Sequence, residues 1–183
     1  MYQYCEFTHN LNGIFMTDPH PEEDQTIRIV VVDDRPAARS AIRALLAAFE
    51  SEMHPGCLKN GSKRSQQHPD RSSTPTISYP HLSVVAEACQ GAQAVELVDK
   101  YHPDIVLIDA RMPVMDGMEA TRHIKQRWPK VRVLMLSMYT NYKLDAYQAG
   151  ADVFLLKGCP AEELLQAIVG SPQGDQITNR ISR

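Results

Sequence analysis

Four short stretches of this chain are nearly unbroken runs of apolar residues: Ile27 to Val32, Ile105 to Ile108, Val131 to Leu136 and Val153 to Leu156. They are rich in β-branched side chains and show no alternation. That pattern suits strands covered on both faces, as in a parallel sheet. Leu82 to Glu87 reads as a fifth strand. Between the strands, apolar residues recur every three or four positions, the mark of one buried helix face. The sets are Ala38, Ala41, Ile42, Leu45, Leu46 and Phe49; Ala94, Leu97, Val98 and Tyr101; Met118, Thr121, Ile124 and Trp128; and Ala161, Leu164, Leu165 and Ile168. Pro36 suits a first helical turn, where its missing N–H costs nothing. His102-Pro103 and Pro129 stop the second and third helices. The stretch Thr140–Ala149 carries only a thin apolar stripe before a Gly150 C-cap. Weak amphipathicity means weak anchoring, so this helix is the expected moving part.

Strand and helix thus alternate five times. The expected fold is α/β: a flavodoxin-like, doubly wound (βα)5 unit with a five-stranded parallel sheet of order 2-1-3-4-5. In such sheets ligands bind beyond the carboxyl ends of the strands. Asp33 and Asp34 follow the first strand, Asp109 ends the third, Ser137 the fourth and Lys157 the fifth. A single Asp there could simply cap a helix. Polar groups at four strand ends along one edge of one sheet point instead to a shared site.

From about 52 to 80 the periodicity stops, and the sequence turns polar and rich in Pro, Gly and Ser. A structureless stretch this long inside a domain is usually functional or disordered. His54, Cys57, His68 and His81 fall in or beside it, but their spacing matches no standard zinc pattern. Its basic residues lack interleaved aromatics and read as a solvated loop rather than a nucleic-acid patch. Residues 1–26 and 171–183 show no apolar period and are expected to be tails around a domain at 27–170. Met16, shortly before the first strand, is the expected native start.

Composition narrows the class. Of 183 residues, 43% are hydrophobic, enough for an ordinary core. The net charge of −3 provides no global attraction to nucleic acid. Cys5, Cys57, Cys89 and Cys159 form no C-x-x-C pair and fit reduced thiols in a cytoplasmic protein. The apolar runs are strand-length, so no membrane span is expected, and no secretory signal opens the chain.

Four segments carry a family resemblance. They are Val31-Val32-Asp33-Asp34-Arg35-Pro36, Asp109-Ala110-Arg111-Met112-Pro113-Val114-Met115-Asp116-Gly117, Leu136-Ser137-Met138-Tyr139 and Gly150-Ala151-Asp152-Val153-Phe154-Leu155-Leu156-Lys157. From Ile27 to Gly170 the chain resembles the receiver domain of two-component response regulators, in the branch that usually carries a helix-turn-helix output. The 52–80 stretch is then an insertion, since receivers pass from this helix to the next strand in a few residues. The resemblance implies that Asp109 accepts a phosphoryl group as nucleophile. It implies Mg²⁺ held by Asp33 (mainly through water), Asp34, Asp109 and the backbone carbonyl of Arg111. Lys157 and Ser137 would contact the phosphoryl oxygens, Phe154 would be the switching aromatic, and Tyr139 and Arg111 would flank the phosphate. Many receivers have a cis proline directly after the Lys; here Gly158 follows and Pro160 comes later. The implied partners are a sensor histidine kinase or phosphotransfer protein, with a homodimer left open and no direct nucleic-acid contact.

Three rival readings frame this one. A haloacid-dehalogenase-like phosphatase would need an acid/base Asp two residues after the nucleophile, where Arg111 stands. A degenerate receiver acting by docking alone would not need the full set of five acceptor-site residues. A truncated DNA-binding regulator would share the receiver and lack its output domain, because Ser171–Arg183 cannot form one. The expected protein is therefore a signalling phosphoacceptor rather than an enzyme acting on other substrates.

Overall fold

The computed structural model describes residues 26–54 and 79–170. The order is β1 (Thr26–Val32), α1 (Pro36–Met53), β2 (His81–Ala88), α2 (Gly91–Tyr101), β3 (Ile105–Asp109), α3 (Gly117–Arg127), β4 (Arg132–Ser137), α4 (Lys143–Ala149), β5 (Val153–Leu156) and α5 (Ala161–Val169). The five strands form one parallel sheet of order β2-β1-β3-β4-β5, as the alternation requires. Thr26, expected to end the N-terminal tail, opens β1; residues 1–25, 171–183 and residues 55–78 of the expected insertion lie outside the described residues.

The strands are apolar throughout because both faces are covered. Successive side chains point to opposite faces. Val30, Val32, Val106, Ile108, Val133, Met135 and Phe154 pack toward α2, α3 and α4. Their neighbours Ile29, Val31, Ile105, Leu107, Leu134, Leu136 and Leu155 pack toward α1 and α5, against Leu46, Phe49, Leu164 and Ile168. Period-two alternation is therefore present, but it separates two apolar faces instead of core from solvent.

The stop signals act as expected at two helices. His102 ends α2 in the left-handed region at φ 44°, just before Pro103, and Trp128 ends α3 just before Pro129. Two boundaries differ. Helix α1 continues through Glu52 and Met53, into the stretch where periodicity fades, because no breaker precedes His54. The expected Thr140–Ala149 helix divides into a 3-10 turn, Thr140–Tyr142, and the seven-residue α4. Tyr79, at the far end of the expected insertion, packs edge-on to Phe49 with ring centroids 5.9 Å apart. No helix among the described residues is long and apolar enough to cross a membrane.

Candidate functional site

Parallel topology brings the carboxyl ends of β1, β3, β4 and β5 to one edge. Asp33 leaves β1 only 1% exposed, and its backbone N–H donates to the Ala88 carbonyl (3.2 Å). Its Oδ1 accepts from the Arg35 backbone N–H (3.0 Å), which folds the turn into α1. Asp34, next in sequence, is exposed. Asp109 ends β3 at 7% exposure. One carboxylate oxygen from each of Asp33, Asp34 and Asp109 lies within 4.8 Å of the others.

Lys157 completes the cluster from β5. Its Nζ stands 2.6 Å from Asp33 Oδ2 and 2.7 Å from Asp109 Oδ2. The Lys157 backbone N–H donates to the Ser137 carbonyl (2.7 Å), so the ends of β4 and β5 are tied together. Two buried carboxylates would be costly without such a partner, because burial penalises an unpaired charge. Three carboxylates against the Lys157 ammonium and the Arg35 guanidinium, whose Nε stands 3.9 Å from Asp33 Oδ1, still leave negative charge in excess. A compact dication with a preference for oxygen donors fits that excess and that donor set.

Ser137 is buried, and its Oγ accepts the Tyr139 backbone N–H (3.1 Å). The hydroxyl is thereby joined to the start of the segment leading into the 3-10 turn. Tyr139 is exposed and meets the Tyr142 ring edge-on, with centroids 6.3 Å apart. Phe154 is buried among residues that include Ala146 and Ala149 of α4. Arg111 lies outside the buried cluster. Its backbone N–H faces Asp109 Oδ1 at 3.4 Å, and its guanidinium sits 5.5 Å from the centre of the Tyr142 ring. The loop after Asp109 is therefore linked to the 3-10 turn by a cation–π contact.

That loop carries local strain. Val114 sits at φ 71° and is almost fully exposed. A β-branched residue there costs of order 1–3 kcal/mol. The loop ends at Asp116, whose side chain accepts the Glu119 backbone N–H (2.9 Å) and caps α3. The described residues contain no cis peptide bond, and Gly158 follows Lys157 at φ 91°. Cys159 is no rival nucleophile: burial, with Glu163 nearby, pushes its thiol up and disfavours the thiolate.

Arg39 is a contributor that the sequence reading did not single out. Its guanidinium donates to the Asp33 carbonyl (2.7 Å) and to Glu87 Oε2 (3.1 Å), holding the acidic turn against β2. A charged residue on the polar side of α1 carries no signal of this in the sequence.

Known proteins are similar to this chain in sequence and fold. The response regulator receiver domain family matches residues 71–169. The match begins after β1 and α1, so the fold, not that match, joins Asp33 and Asp34 to the rest. The chain is 35% identical to the chemotaxis protein CheY of Bacillus subtilis, over 77% of this chain and 93% of that protein. It is 33% identical to the transcriptional regulatory protein DegU of Brevibacillus brevis, over 82% of this chain but 52% of that protein. A crystal structure of a LuxR-family two-component response regulator from Aurantimonas superposes with a TM-score of 0.58 at 32% identity. That superposition covers 79% of this chain and 83% of the other. Sheet order, strand-end pocket and these matches agree, and the chain belongs to the response regulator receiver domain family.

Proposed function

We propose that the chain is the phosphoacceptor of a two-component phosphorelay and that Asp109 takes the phosphoryl group. The observation that carries this reading is the Lys157 ammonium bridging Asp33 and Asp109 inside a three-carboxylate pocket. A carboxylate oxygen of Asp109 attacks phosphorus while the bond from phosphorus to the donor, a phosphohistidine nitrogen or acetyl phosphate, breaks. Asp33, Asp34, Asp109 and the Arg111 carbonyl are the groups that would hold Mg²⁺. When bound, Mg²⁺ offsets the charge on the carboxylates and on the phosphoryl oxygens. Lys157 offers a point charge to one phosphoryl oxygen, and the Ser137 hydroxyl donates to another.

The same contacts supply a switch. Ser137 drawn toward the phosphoryl group takes with it the Tyr139 amide that it now accepts from. The 3-10 turn and α4 follow, over Phe154. The partner is a sensor histidine kinase or phosphotransfer protein, and the output is a protein partner or transcription. The names of the two curated relatives, one a chemotaxis protein and one a transcriptional regulator, leave both outputs within the family.

Phosphate-affinity electrophoresis after incubation with acetyl phosphate and Mg²⁺ tests the reading. A retarded band is expected from the natural chain and none from Asp109→Asn. A band that survives this substitution, or that forms fully in EDTA, defeats the assignment.

A further inference from the structure

At the opposite end of the sheet from the acidic pocket, the fold assembles a second set of ligating side chains. His81 opens β2 and is paired in register with Thr26, the first residue of β1. Glu50 and His54 lie four residues apart at the carboxyl end of α1, and that spacing places them on one side of the helix. Strands of this length separate the two ends of the sheet by about 20 Å. One donor atom from each of Glu50, His54 and His81 lies within 4.8 Å of the others. We propose that Glu50, His54 and His81 form a binding site for a transition-metal dication of the Zn²⁺ class.

Three features of the geometry support a site rather than a chance meeting of polar groups. First, the carboxylate is oriented: Glu50 Oε1 accepts the Leu82 backbone N–H, which leaves Oε2 facing His81 Nδ1 at 2.9 Å. Such outer hydrogen bonds fix the direction of a ligand before the metal arrives. Second, the two imidazoles stack face to face, with ring centroids 3.7 Å apart and planes inclined by 23°, so both rings already lie beside the Glu50 carboxylate. Third, His54 Nε2 is buried and has no hydrogen-bond partner among the described residues. A buried polar nitrogen of this kind normally has a partner, and a metal would provide one. Donors around a tetrahedral ion with bonds of about 2.0 Å stand roughly 3.3 Å apart and aim at one point, so binding requires the stacked rings to splay apart by side-chain rotation.

The donor types select the ion. Two imidazoles and one carboxylate suit Zn²⁺ and its neighbours, whereas Mg²⁺ prefers oxygen alone. The two ends of the molecule are thus chemically separable. Three protein donors leave a fourth position for water or another ligand. An ion here ties the end of α1 to the start of β2, across residues 55–80. It would stabilise the receiver where α1 hands over to β2, independently of Asp109.

Competition with a chromophoric chelator tests this on the full chain, in millimolar Mg²⁺ to saturate the acidic pocket. One Zn²⁺ per chain is expected, with a rise in melting temperature. His54→Gln is the first variant, because His54 stands at the C-cap beyond the last residue of α1. His81→Gln is the second, with far-UV circular dichroism to verify folding. Each is expected to bind Zn²⁺ at least about tenfold more weakly. Absence of Zn²⁺ binding by the natural chain overturns the proposal. So does undiminished affinity in the folded variants, since the ion would then sit on the thiols.

Discussion

Helix α3 starts on the Asp116 side-chain cap and buries Gly117, Met118, Ala120, Thr121 and Ile124. Helix α4, beside the next strand's exit, starts from a 3-10 turn with no side-chain cap and buries only Ala146 and Ala149. Burying an Ile or Met side chain contributes about 1.5–3 kcal/mol, while an alanine methyl contributes far less. The large apolar side chains of α4, Leu144 and Tyr147, face solvent, as do Met138 and Tyr139 before it. Each helix follows a strand that ends in the pocket, yet one is firmly packed and the other is lightly held. Segments that move on ligand binding come from the low-stability end of a fold. In the proposed switch, α3 is the element that holds Asp109 and α4 the one that answers Ser137.

The most severe way to break this contrast is Gly117→Ala. A Cβ at Gly117 would overlap the Asp109 carbonyl oxygen and stand 3.0 Å from the Asp109 carbonyl carbon and 3.1 Å from Ala110 Cα. All three are backbone atoms and cannot rotate away. The substitution should cost more than about 4 kcal/mol, in the exceptional range for a point change, or prevent folding. Urea denaturation measures it. A loss under about 1 kcal/mol would show that α3 can slide on β3, and the firm-packing reading would be wrong.

A paired truncation compares the two helices directly. Ile124 is fully buried, and Ile124→Ala should cost about 2–5 kcal/mol. Leu144 is 67% exposed, and Leu144→Ala should stay within about 0.5 kcal/mol of the natural chain. Comparable losses at both sites in urea melts would mean that α4 is anchored as firmly as α3.

The acidic pocket was legible in the sequence because each of its residues sits directly at the end of an apolar run. Asp33, Asp109, Ser137 and Lys157 needed only a parallel sheet to be brought together. Other parts left no such trace. The 3-10 entry into α4 has no capping residue to announce it. Arg39 reaches the Asp33 carbonyl through a side chain on the polar face of α1, where periodicity carries no information. His54 and His81 stand out in the sequence, but the metal patterns legible there depend on short spacings. These two are separated by residues 55–80, and the third donor, Glu50, looked like any helix-surface carboxylate. Contacts between residues so far apart in sequence depend on the three-dimensional fold, not on local order.

The gentlest perturbation tests the contrast most finely. Beryllofluoride with Mg²⁺ should stand in for the phosphoryl group without a covalent step. A ligand can shift an equilibrium only by its differential contacts with the two states. Here those contacts are the Ser137 hydroxyl, at the strand end that leads into α4, and the Lys157 ammonium, at the end of β5, the strand that follows α4. Coupling between such sites is typically about 1–3 kcal/mol, enough to be read as altered amide exchange where local stability is low. Exchange should therefore change most in residues 137–157 and little in 116–128. Ser137→Ala should preserve the phosphorylated band but blunt the exchange response, because the Tyr139 amide loses the hydroxyl that it donates to. A response centred on 116–128 instead would reverse the roles of the two helices. A response spread equally over both would mean that the strand-end pocket acts on the whole sheet, and that the weak anchoring of α4 has no part in the signal.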